Sequence, residues 1–457
     1  MLSSLCLPFS SQEIPMDSCQ YKNRISVIIG ENGTRKSHFL RHILNDAIHL
    51  VTGEIEASDS KNLFRYPPRK IIAVSALPTD RFPSKYGYSD RSVGGEFEID
   101  EYSYVGPRTA TNIISRNQSA RELVSALLTA PQMVAAKKEH LASICEQIGI
   151  DKRFSFFLRL VSAEREGGTY ARRDIDSDIL KVRNVLTRRI NSDTTTHRQK
   201  KILTHEISRL DVYQQGIQEH IKYLLDTRTR GVERPIFPVS VDFDKGTVDY
   251  GKLSRDVLEA GFRYGFMRPT SLVFGHSTMN SEDTLSAGQW GMFVSLCTVT
   301  LGIQDNSLVL IDEPENGLHP SWQRNYLHNI LSAIDHVKGC QVVVATHSPL
   351  LLSSLPLKDS DCILLRREAD NVVAEFQHSP SGWDSNTLLE EVFTLESPRG
   401  PEITDLVNRA LKIIGAGIQD NKVELKDLSV RLEAYRKNLP EADILKEVIA
   451  TIIEVSS

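Results

Sequence analysis

The stretch GENGTRKS, from Gly30 to Ser37, carries residue types that bind phosphate. It follows the β-rich run RISVIIG and precedes a segment whose apolar residues have helical spacing. A phosphate loop has the pattern G-x-x-x-x-G-K-[ST] and points backbone N–H groups at an anion from a helix N-terminus. Arg35 stands where the pattern has its second glycine. The loop is therefore a working nucleotide site, an impaired one, or a strand-to-helix turn that only uses glycines.

In the first interpretation Lys36 reaches the β- and γ-phosphates of ATP, and the Ser37 hydroxyl binds Mg²⁺. Arg35 in a left-handed conformation would cost about 1–2 kcal/mol, which charge-assisted hydrogen bonds to a triphosphate could offset. We therefore expect ATP binding with slow turnover. The predicted nucleotide-binding residues of the loop are Gly30, Glu31, Asn32, Gly33, Thr34, Arg35, Lys36, Ser37 and His38.

The run LVLIDEPENGLHP places two carboxylates directly after a buried strand. Functional groups in open α/β sheets lie at the carboxyl ends of strands. Asp312 is suited to Mg²⁺, which prefers carboxylate and water oxygens, and Glu313 is placed to orient or deprotonate a water molecule. Taken alone, an acidic pair in this position favours a helix N-cap.

Two further runs also place polar side chains at the start of a helix or at the end of a strand. TLSAGQW puts Ser286 at a predicted helix start and Gly288 where close approach is needed, which makes a second anion-binding helix end or an ordinary capped helix. VVVATHSPLLL puts His347 at the end of a buried strand. A neutral histidine there could hydrogen-bond a γ-phosphate or the attacking water, although a lone histidine is more often structural.

The order of these motifs is more informative than any one of them. Ser286 precedes Asp312 by 26 residues, and His347 follows Asp312 by 35 residues. In this order and spacing the chain resembles soluble ATP-binding-cassette (ABC) ATPases of the AAA family, related to SMC, RecF and OLD proteins. GENGTRKS is similar to their Walker A motif, LSAGQ to the signature motif, LVLIDE to Walker B and ATHS to the switch histidine.

The resemblance covers residues 21–50 and about 270–352, and it implies ATP and Mg²⁺ as cofactors. In such ATPases two heads sandwich two ATP molecules. The resemblance therefore implies a homo-oligomer, a head-to-head dimer or larger, in which Ser286, Gly288 and Gln289 contact the γ-phosphate held by another protomer. It also assigns Glu313 and His347 to catalysis and Ser37 and Asp312 to the metal.

A narrower resemblance concerns bacterial anti-phage ATPases. IIAVSALPTDRFP, YSYVGPR and LEEVFTLESPRG are similar to segments of Septu ATPases, which work with a separate HNH nuclease, and PARIS ATPases are an alternative. About 85 residues follow the cassette without a clear E…DxD arrangement, so any nuclease should be a partner. Two departures stand out besides Arg35: Ala287 replaces a signature glycine, and Thr79 or Asp80 stands where a glutamine is usual.

The pattern of elements predicts an α/β fold. We expect an ABC-ATPase head with a mainly parallel sheet flanked by helices, an antiparallel β lobe, a helical, coiled-coil-like insertion and a helical C-terminal extension. The expected boundaries are 1–117 and 235–380 for the two parts of the head, 118–234 for the insertion and 381–457 for the extension. Apolar stripes in the insertion, such as Ile179, Val182 and Leu186, suggest two long antiparallel helices.

Composition limits the function classes. The net charge of −5 excludes a polycation, although residues 171–230 hold 13 Lys and Arg against 8 Asp and Glu. That charge indicates a solvated helix face or a DNA contact. The six cysteines form no zinc pattern, which favours the cytoplasm, and no apolar run is long enough to cross a membrane.

The sequence as a whole predicts a slow ATPase that controls an anti-phage complex with a separate nuclease. Two alternatives stay open: a DNA repair ATPase of the RecF or SMC type, and a nucleotide-binding scaffold without turnover.

Overall fold

A computed structural model describes most of the chain. The described residues are 2, 4–6, 13–15, 22–31, 33–52, 56, 64–83, 101–108, 116–160, 165–166, 169–170, 175–193, 195, 197–226, 236–270, 272–275, 282–368, 371–377, 379–393, 395, 397, 399–417 and 421–456. The chain divides into two compact units, Met1–Gly382 and Trp383–Ser457.

Sixteen strands and fourteen α-helices lie in the described ranges. The strands are β1 Ser4–Cys6, β2 Glu13–Pro15, β3 Arg24–Gly30, β4 Lys70–Ser75, β5 Tyr102–Val105, β6 Arg153–Leu160, β7 Arg165–Glu166, β8 Thr169–Tyr170, β9 Ile236–Asp242, β10 Thr247–Asp249, β11 Met267–Pro269, β12 Val273–Phe274, β13 Ser307–Asp312, β14 Gln341–Thr346, β15 Ser360–Glu368 and β16 Asn371–Gln377. The helices are α1 Lys36–Thr52, α2 Arg116–Thr129, α3 Pro131–Ala136, α4 Lys138–Ile148, α5 Ile175–Ile190, α6 His197–Asp226, α7 Arg255–Arg263, α8 Ala287–Gly302, α9 Pro320–Ile334, α10 Pro349–Ser353, α11 Ser385–Glu391, α12 Pro401–Ala416, α13 Lys422–Asn438 and α14 Leu445–Ser456.

A seven-stranded sheet forms the centre of the first unit. Its strand order is β16-β15-β3-β14-β13-β4-β5, and every neighbouring pair is parallel except β15 with β16. All residues of β13 and β14 are buried, as expected for parallel strands covered on both faces. The mainly parallel α/β fold predicted from the continuous apolar runs is confirmed.

A second, antiparallel sheet forms the predicted β lobe. Its order is β10-β9-β6-β11, and β12 also pairs with β6. Residues 118–234, which we expected to form a mostly helical insertion, also contain β6, the central strand of this sheet. RFSFFLRL alternates buried and exposed positions, and a period of two buries Phe154, Phe156 and Leu158 on one face of a strand.

The two long helices expected in the insertion are α5 and α6, which run antiparallel. Arg183 of α5 pairs with Asp211 of α6, and Gln218 donates to Asp176 at 2.9 Å. The predicted stripe Ile179, Val182 and Leu186 is buried. The helix α6 also packs against α7 of the head.

A buried carboxylate ties α6 to the C-terminal end of α7. Glu206 is 1% exposed and accepts from Arg263 Nε at 2.7 Å and from the Tyr264 hydroxyl at 3.0 Å. A second contact is steric, because a Cβ on Gly216 of α6 would lie 2.2 Å from a Val257 methyl group of α7. Buried charges need such partners, so the hairpin is joined to the head through a specific contact.

The second unit is helical. It lies in the part of the chain for which we predicted a helical extension, residues 381–457. Helices α12, α13 and α14 surround a core that includes Leu406, Ala410, Leu428, Leu432 and Ile449. Across the described ranges of both units, no helix is long and apolar enough to span a bilayer.

Candidate functional site

The loop between β3 and α1 has the strained backbone of a phosphate loop. Gly33 has φ +87° and Arg35 has φ +65°, both in the left-handed region. A Cβ on Gly30 would lie 2.5 Å from the Leu365 carbonyl oxygen, so only glycine fits there. Arg35 therefore takes the conformation for which the usual pattern has glycine, at a cost of about 1–2 kcal/mol.

Lys36 lies inside this loop. Its Nζ donates to the carbonyl oxygens of Gly30 at 2.8 Å and Glu31 at 3.1 Å, and lies 3.4 Å from His347 Nδ1. Burial lowers the pKa of Lys36 to about 8. The loop is closed by Thr34, whose hydroxyl donates to the Glu31 carbonyl at 2.8 Å. Asn32 lies outside the described residues.

His38 follows on the exposed side of α1. Partial desolvation of the ring lowers the pKa of His38 most. The positive charges of Arg81, Arg41 and Arg35 lower this pKa further. Positive groups thus collect beside the loop, as an anion site requires.

Ser37 and Asp312 meet as predicted for a magnesium pair. The Ser37 hydroxyl donates to Asp312 Oδ1 at 3.1 Å, and Asp312 is 1% exposed. Its Oδ2 is buried without a hydrogen-bond partner, and burial raises the pKa of Asp312 to about 7. A buried carboxylate oxygen without a partner is costly, and a Mg²⁺ ion at this point would supply one.

The donor set fits a nucleotide-bound cation. Among the described residues, no group of three or more His, Cys, Asp or Glu side chains could hold a metal ion alone. A magnesium ion at Ser37 and Asp312 would therefore take its other ligands from phosphate oxygens and water, which is the usual arrangement at phosphoryl-transfer sites.

Glu313 and His347 lie on the other side of Lys36. His347 Nε2 lies 3.5 Å from Glu313 Oε1, and Asn316 Nδ2 donates to Glu313 Oε2 at 2.9 Å. The hydrogen bond with His347 holds the pKa of Glu313 below its usual value, so this carboxylate is ionised at neutral pH. An ammonium group only donates, so Nδ1 of His347 faces Lys36 as an acceptor, and Nε2 is the nitrogen placed to donate towards Glu313.

Parallel strand register brings these groups together. The sheet order β3-β14-β13 places Ile29 opposite Thr346 and Ala345 opposite Asp312. Because β13 and β14 are neighbours, His347 and Asp312 lie at the same edge of the sheet. Glu313 has φ +46°, and its N–H donates to the Ala345 carbonyl at 2.8 Å; strained backbone of this kind is common at functional sites.

The signature segment is the capped start of α8. Ser286 Oγ accepts from Gln289 N at 3.2 Å, and Gln289 Oε1 accepts from Ser286 N at 2.9 Å, which forms a capping box. Gln289 Nε2 donates to the Ile148 carbonyl. Both ends of the Gln289 amide are thus bonded within the chain, and no described hydrogen bond joins Ser286, Gly288 or Gln289 to the phosphate loop. Their contact with a phosphate stays a prediction.

Gly288 fits against the segment that follows Glu313. A Cβ on Gly288 would lie 2.0 Å from the Gly317 carbonyl oxygen, and Gly317 itself has φ +77°. Close backbone packing is a second, structural reason for glycine at this position of the signature motif.

Asp80, at the position of the usual glutamine, is a structural anchor. It is buried and accepts from the Tyr104 hydroxyl at 2.5 Å, from Arg108 Nη2 at 3.0 Å and from Phe82 N at 3.0 Å. The YSYVGPR segment therefore holds the loop after β4. Burial raises the pKa of Asp80, and its oxygens are already taken by these donors.

Sequence reasoning did not single out Glu315 and Asn316. Both lie in the irregular segment between β13 and α9, where spacing carries no signal. Asn316 holds the Glu313 carboxylate, and Glu315 Oε1 accepts from His347 N at 2.6 Å. The available signal was their position two and three residues after Glu313.

The chain shares parts of its sequence with known proteins. Residues 291–353 match the family described as "AAA domain, putative AbiEii toxin, Type IV TA system". Protein ea59 of Escherichia phage lambda is 31% identical over 112 residues, which are 24% of this chain and 21% of that protein. Septu protein PtuA of Bacillus thuringiensis is 30% identical over 104 residues, which are 22% of this chain and 25% of that protein.

The aligned part thus spans about a fifth to a quarter of the length of these curated relatives. The chain resembles ABC-type AAA ATPases, PtuA among them, and the resemblance predicted from the motifs is confirmed.

Solved structures give weaker matches. The Smc head domain of Pyrococcus furiosus, bound to the C-terminal domain of ScpA, is 11% identical with a TM-score of 0.27, covering 86% of this chain and 98% of that one. UvrA2 from Deinococcus radiodurans is 11% identical with a TM-score of 0.27, covering 80% and 34%. The fold assignment rests on the sheet topology of the chain itself.

The close contact at Gly288 leads to a stability prediction. Gly288→Ala should lower the free energy of unfolding by about 1–3 kcal/mol, because the new methyl group meets the Gly317 carbonyl. Gly291→Ala, in the same helix with no atom within 4 Å of a Cβ, should raise it by about 0.5–1 kcal/mol. Urea unfolding of the two variants measures both effects, and equal effects would contradict the contact.

The buried Asp312 leads to a pH-dependent prediction. Its pKa is raised from the usual 3.8 to about 7, so ionisation of Asp312 destabilises the nucleotide-free fold increasingly as pH rises from about 4 to about 7. A shift of this size is worth at most about 4 kcal/mol. Asp312→Asn leaves an amide without a partner, so the expected gain in unfolding free energy at pH 8 is about 1–3 kcal/mol.

The gain should shrink as pH falls towards 5. Urea unfolding in EDTA measures it, with the exposed Asp283→Asn as control. A variant less stable than wild type at pH 8 would refute this account of Asp312.

Proposed function

We propose that this chain, which resembles ABC-type AAA ATPases, binds ATP with Mg²⁺ and hydrolyses it slowly. One observation carries the proposal: a set of polar side chains converges at one sheet edge, namely Lys36, Ser37, Asp312, Glu313 and His347. Asp312 Oδ1 accepts from Ser37 there, and Asp312 Oδ2 is buried without a partner. A Mg²⁺ ion held there would neutralise charge that develops on the phosphates.

The residues of the chain have separable roles in this proposal. Backbone N–H groups at the start of α1 bind phosphate oxygens, and Lys36 exchanges its bonds to the Gly30 and Glu31 carbonyls for bonds to the β- and γ-phosphates. Glu313 orients the attacking water and accepts its proton. His347, with Nε2–H towards Glu313, orients that carboxylate and the water.

Slow turnover is supported by two strained residues. Arg35 and Glu313 both hold positive φ values. The Glu313 carboxylate is also engaged by Asn316 and His347, so it must exchange partners before it binds water. We propose that the chain acts as a switch that senses ATP more than as a motor.

An oligomer is part of the proposal. Ser286 is exposed, and in the capping box its oxygen acts as acceptor, which leaves the hydroxyl hydrogen to donate to a phosphate. We propose that two heads meet so that Ser286, Gly288 and Gln289 contact the γ-phosphate of the partner protomer.

The resemblance to Septu ATPases supports a defence complex in which the nucleotide state controls a separate nuclease of the HNH type.

A DNA repair ATPase is the second candidate, favoured by the positive charge of residues 171–230. Co-purification of a small nuclease supports the first candidate, and DNA affinity of the chain alone that falls steeply with salt supports the second.

The central test compares wild type with Lys36→Ala and Glu313→Gln. Wild type should bind ATP with Mg²⁺, Lys36→Ala should lose binding, and Glu313→Gln should bind ATP but lose about 100-fold or more in rate. The exposed Lys338→Ala and Glu390→Gln serve as controls, with calorimetry and phosphate release as readouts. If wild type binds no nucleotide, even as an oligomer, the ATPase proposal fails in favour of a scaffold.

Substitutions at Arg35 separate strain from charge. Arg35→Gly should stabilise the nucleotide-free fold by about 1 kcal/mol because glycine accepts the left-handed conformation. Arg35→Ala keeps the strain and loses the guanidinium. We expect both to weaken ATP binding and only Arg35→Gly to turn over faster than wild type, and a wild-type rate of tens per second would refute slow turnover.

A further inference from the structure

Glu315 is a carboxyl group that the proposed reaction does not yet use. It lies in the segment between β13 and α9, three residues after Asp312. Its Oε1 accepts from the backbone N–H of His347 at 2.6 Å, and its Oε2 is buried without a hydrogen-bond partner. Burial raises the pKa of Glu315. A buried carboxyl oxygen without a partner destabilises a fold, so the short bond between Glu315 and the His347 peptide needs a reason.

That bond fixes the main chain at the point where β14 ends. Thr346 is the last strand residue, and His347 begins the turn into α10. The next peptide is held by Thr346 Oγ1, which accepts from Ser348 N at 2.9 Å, and the Ser348 hydroxyl donates to Gln323 Oε1 at 2.7 Å. Side chains of β14, of α9 and of the segment before α9 therefore hold the first two residues of this turn.

The ring of His347 needs an accurate placement. Its two nitrogens lie 3.4 Å from Lys36 Nζ and 3.5 Å from Glu313 Oε1. Both distances are slightly longer than a good hydrogen bond, so a small displacement of the His347 main chain would break one contact or the other. The short bond from Glu315 acts on that main chain directly.

We propose that Glu315 is a positioning residue that holds the peptide of His347, so that the ring spans Lys36 and Glu313; the proposal rests on the function proposed above. Its effect is transmitted through His347 alone. Glu315 itself touches no nucleotide and no reacting atom.

A double-mutant cycle tests this role. Glu315→Ala should lower kcat by about 10- to 100-fold through misplacement of His347, while the Kd for ATP with Mg²⁺ stays within about threefold. Glu315→Gln keeps an acceptor oxygen and should recover most of the rate. In a His347→Ala background, Glu315→Ala should cause no further loss, because the pair acts as a unit. An equal loss in both backgrounds, or a loss of ATP affinity as large as the loss of kcat, would overturn the proposal.

A second measurement needs no turnover. With ¹³C-labelled histidine, the ring signal of His347 is identified by its loss in His347→Ala. In the nucleotide-free protein this signal should shift or broaden in Glu315→Ala, and stay in place in Glu315→Gln and in the exposed control Glu390→Ala. An unchanged signal in Glu315→Ala would overturn the proposal. If wild type neither binds nor hydrolyses ATP, the proposed function fails, and the ring signal still decides the role of Glu315.

Discussion

The parallel register of β3, β14 and β13 is the constraint on which the site depends. These strands are buried, and a slip by one residue would move each side chain from the core on one face of the sheet to the core on the other face. The register is therefore strongly determined by packing. With it set, the ends of three strands place Lys36, His347 and Asp312 at one edge within hydrogen-bond reach of one another or of Ser37.

The same burial that determines the register makes the site electrostatically unfavourable in the absence of ligand. Lys36 and Asp312 are both buried, and burial moves the pKa of each towards the neutral form. A bound polyphosphate would pair with the Lys36 ammonium group, and a bound cation would pair with the Asp312 carboxylate. Titratable groups perturbed in this way collect at functional sites because the fold maintains them at a cost in stability.

Backbone strain is also concentrated at this site. Of the four described non-glycine residues with positive φ, Arg35 precedes Lys36 and Glu313 follows Asp312. The surrounding bonds, from Thr34 to Glu31 in one loop and from Asn316 to Glu313 in the other, hold these conformations. The segment that carries Glu313 also packs through Gly317 against Gly288. Glu313 therefore lies on the same short stretch of main chain that packs against the start of α8.

The sequence alone determined the strands of the central sheet and the residue types that lie at its edge. Continuous apolar runs predicted the buried strands, glycines and a lysine predicted the phosphate loop, and polar residues at strand ends predicted Asp312, Glu313 and His347. These signals are local, because strand burial, loop conformation and side-chain type are each encoded within a few residues.

The tertiary structure decided what depends on distant partners. It made RFSFFLRL the central strand of an antiparallel sheet, because its backbone pairs with strands more than 75 residues away in sequence. It made Asp80 an anchor for Tyr104 and Arg108, and it placed Glu315 against the peptide of His347. Each of these roles depends on a neighbour that is distant in sequence and close in space. Asp80 and Glu315 also lie in irregular segments, which have no periodicity from which that neighbour could be inferred.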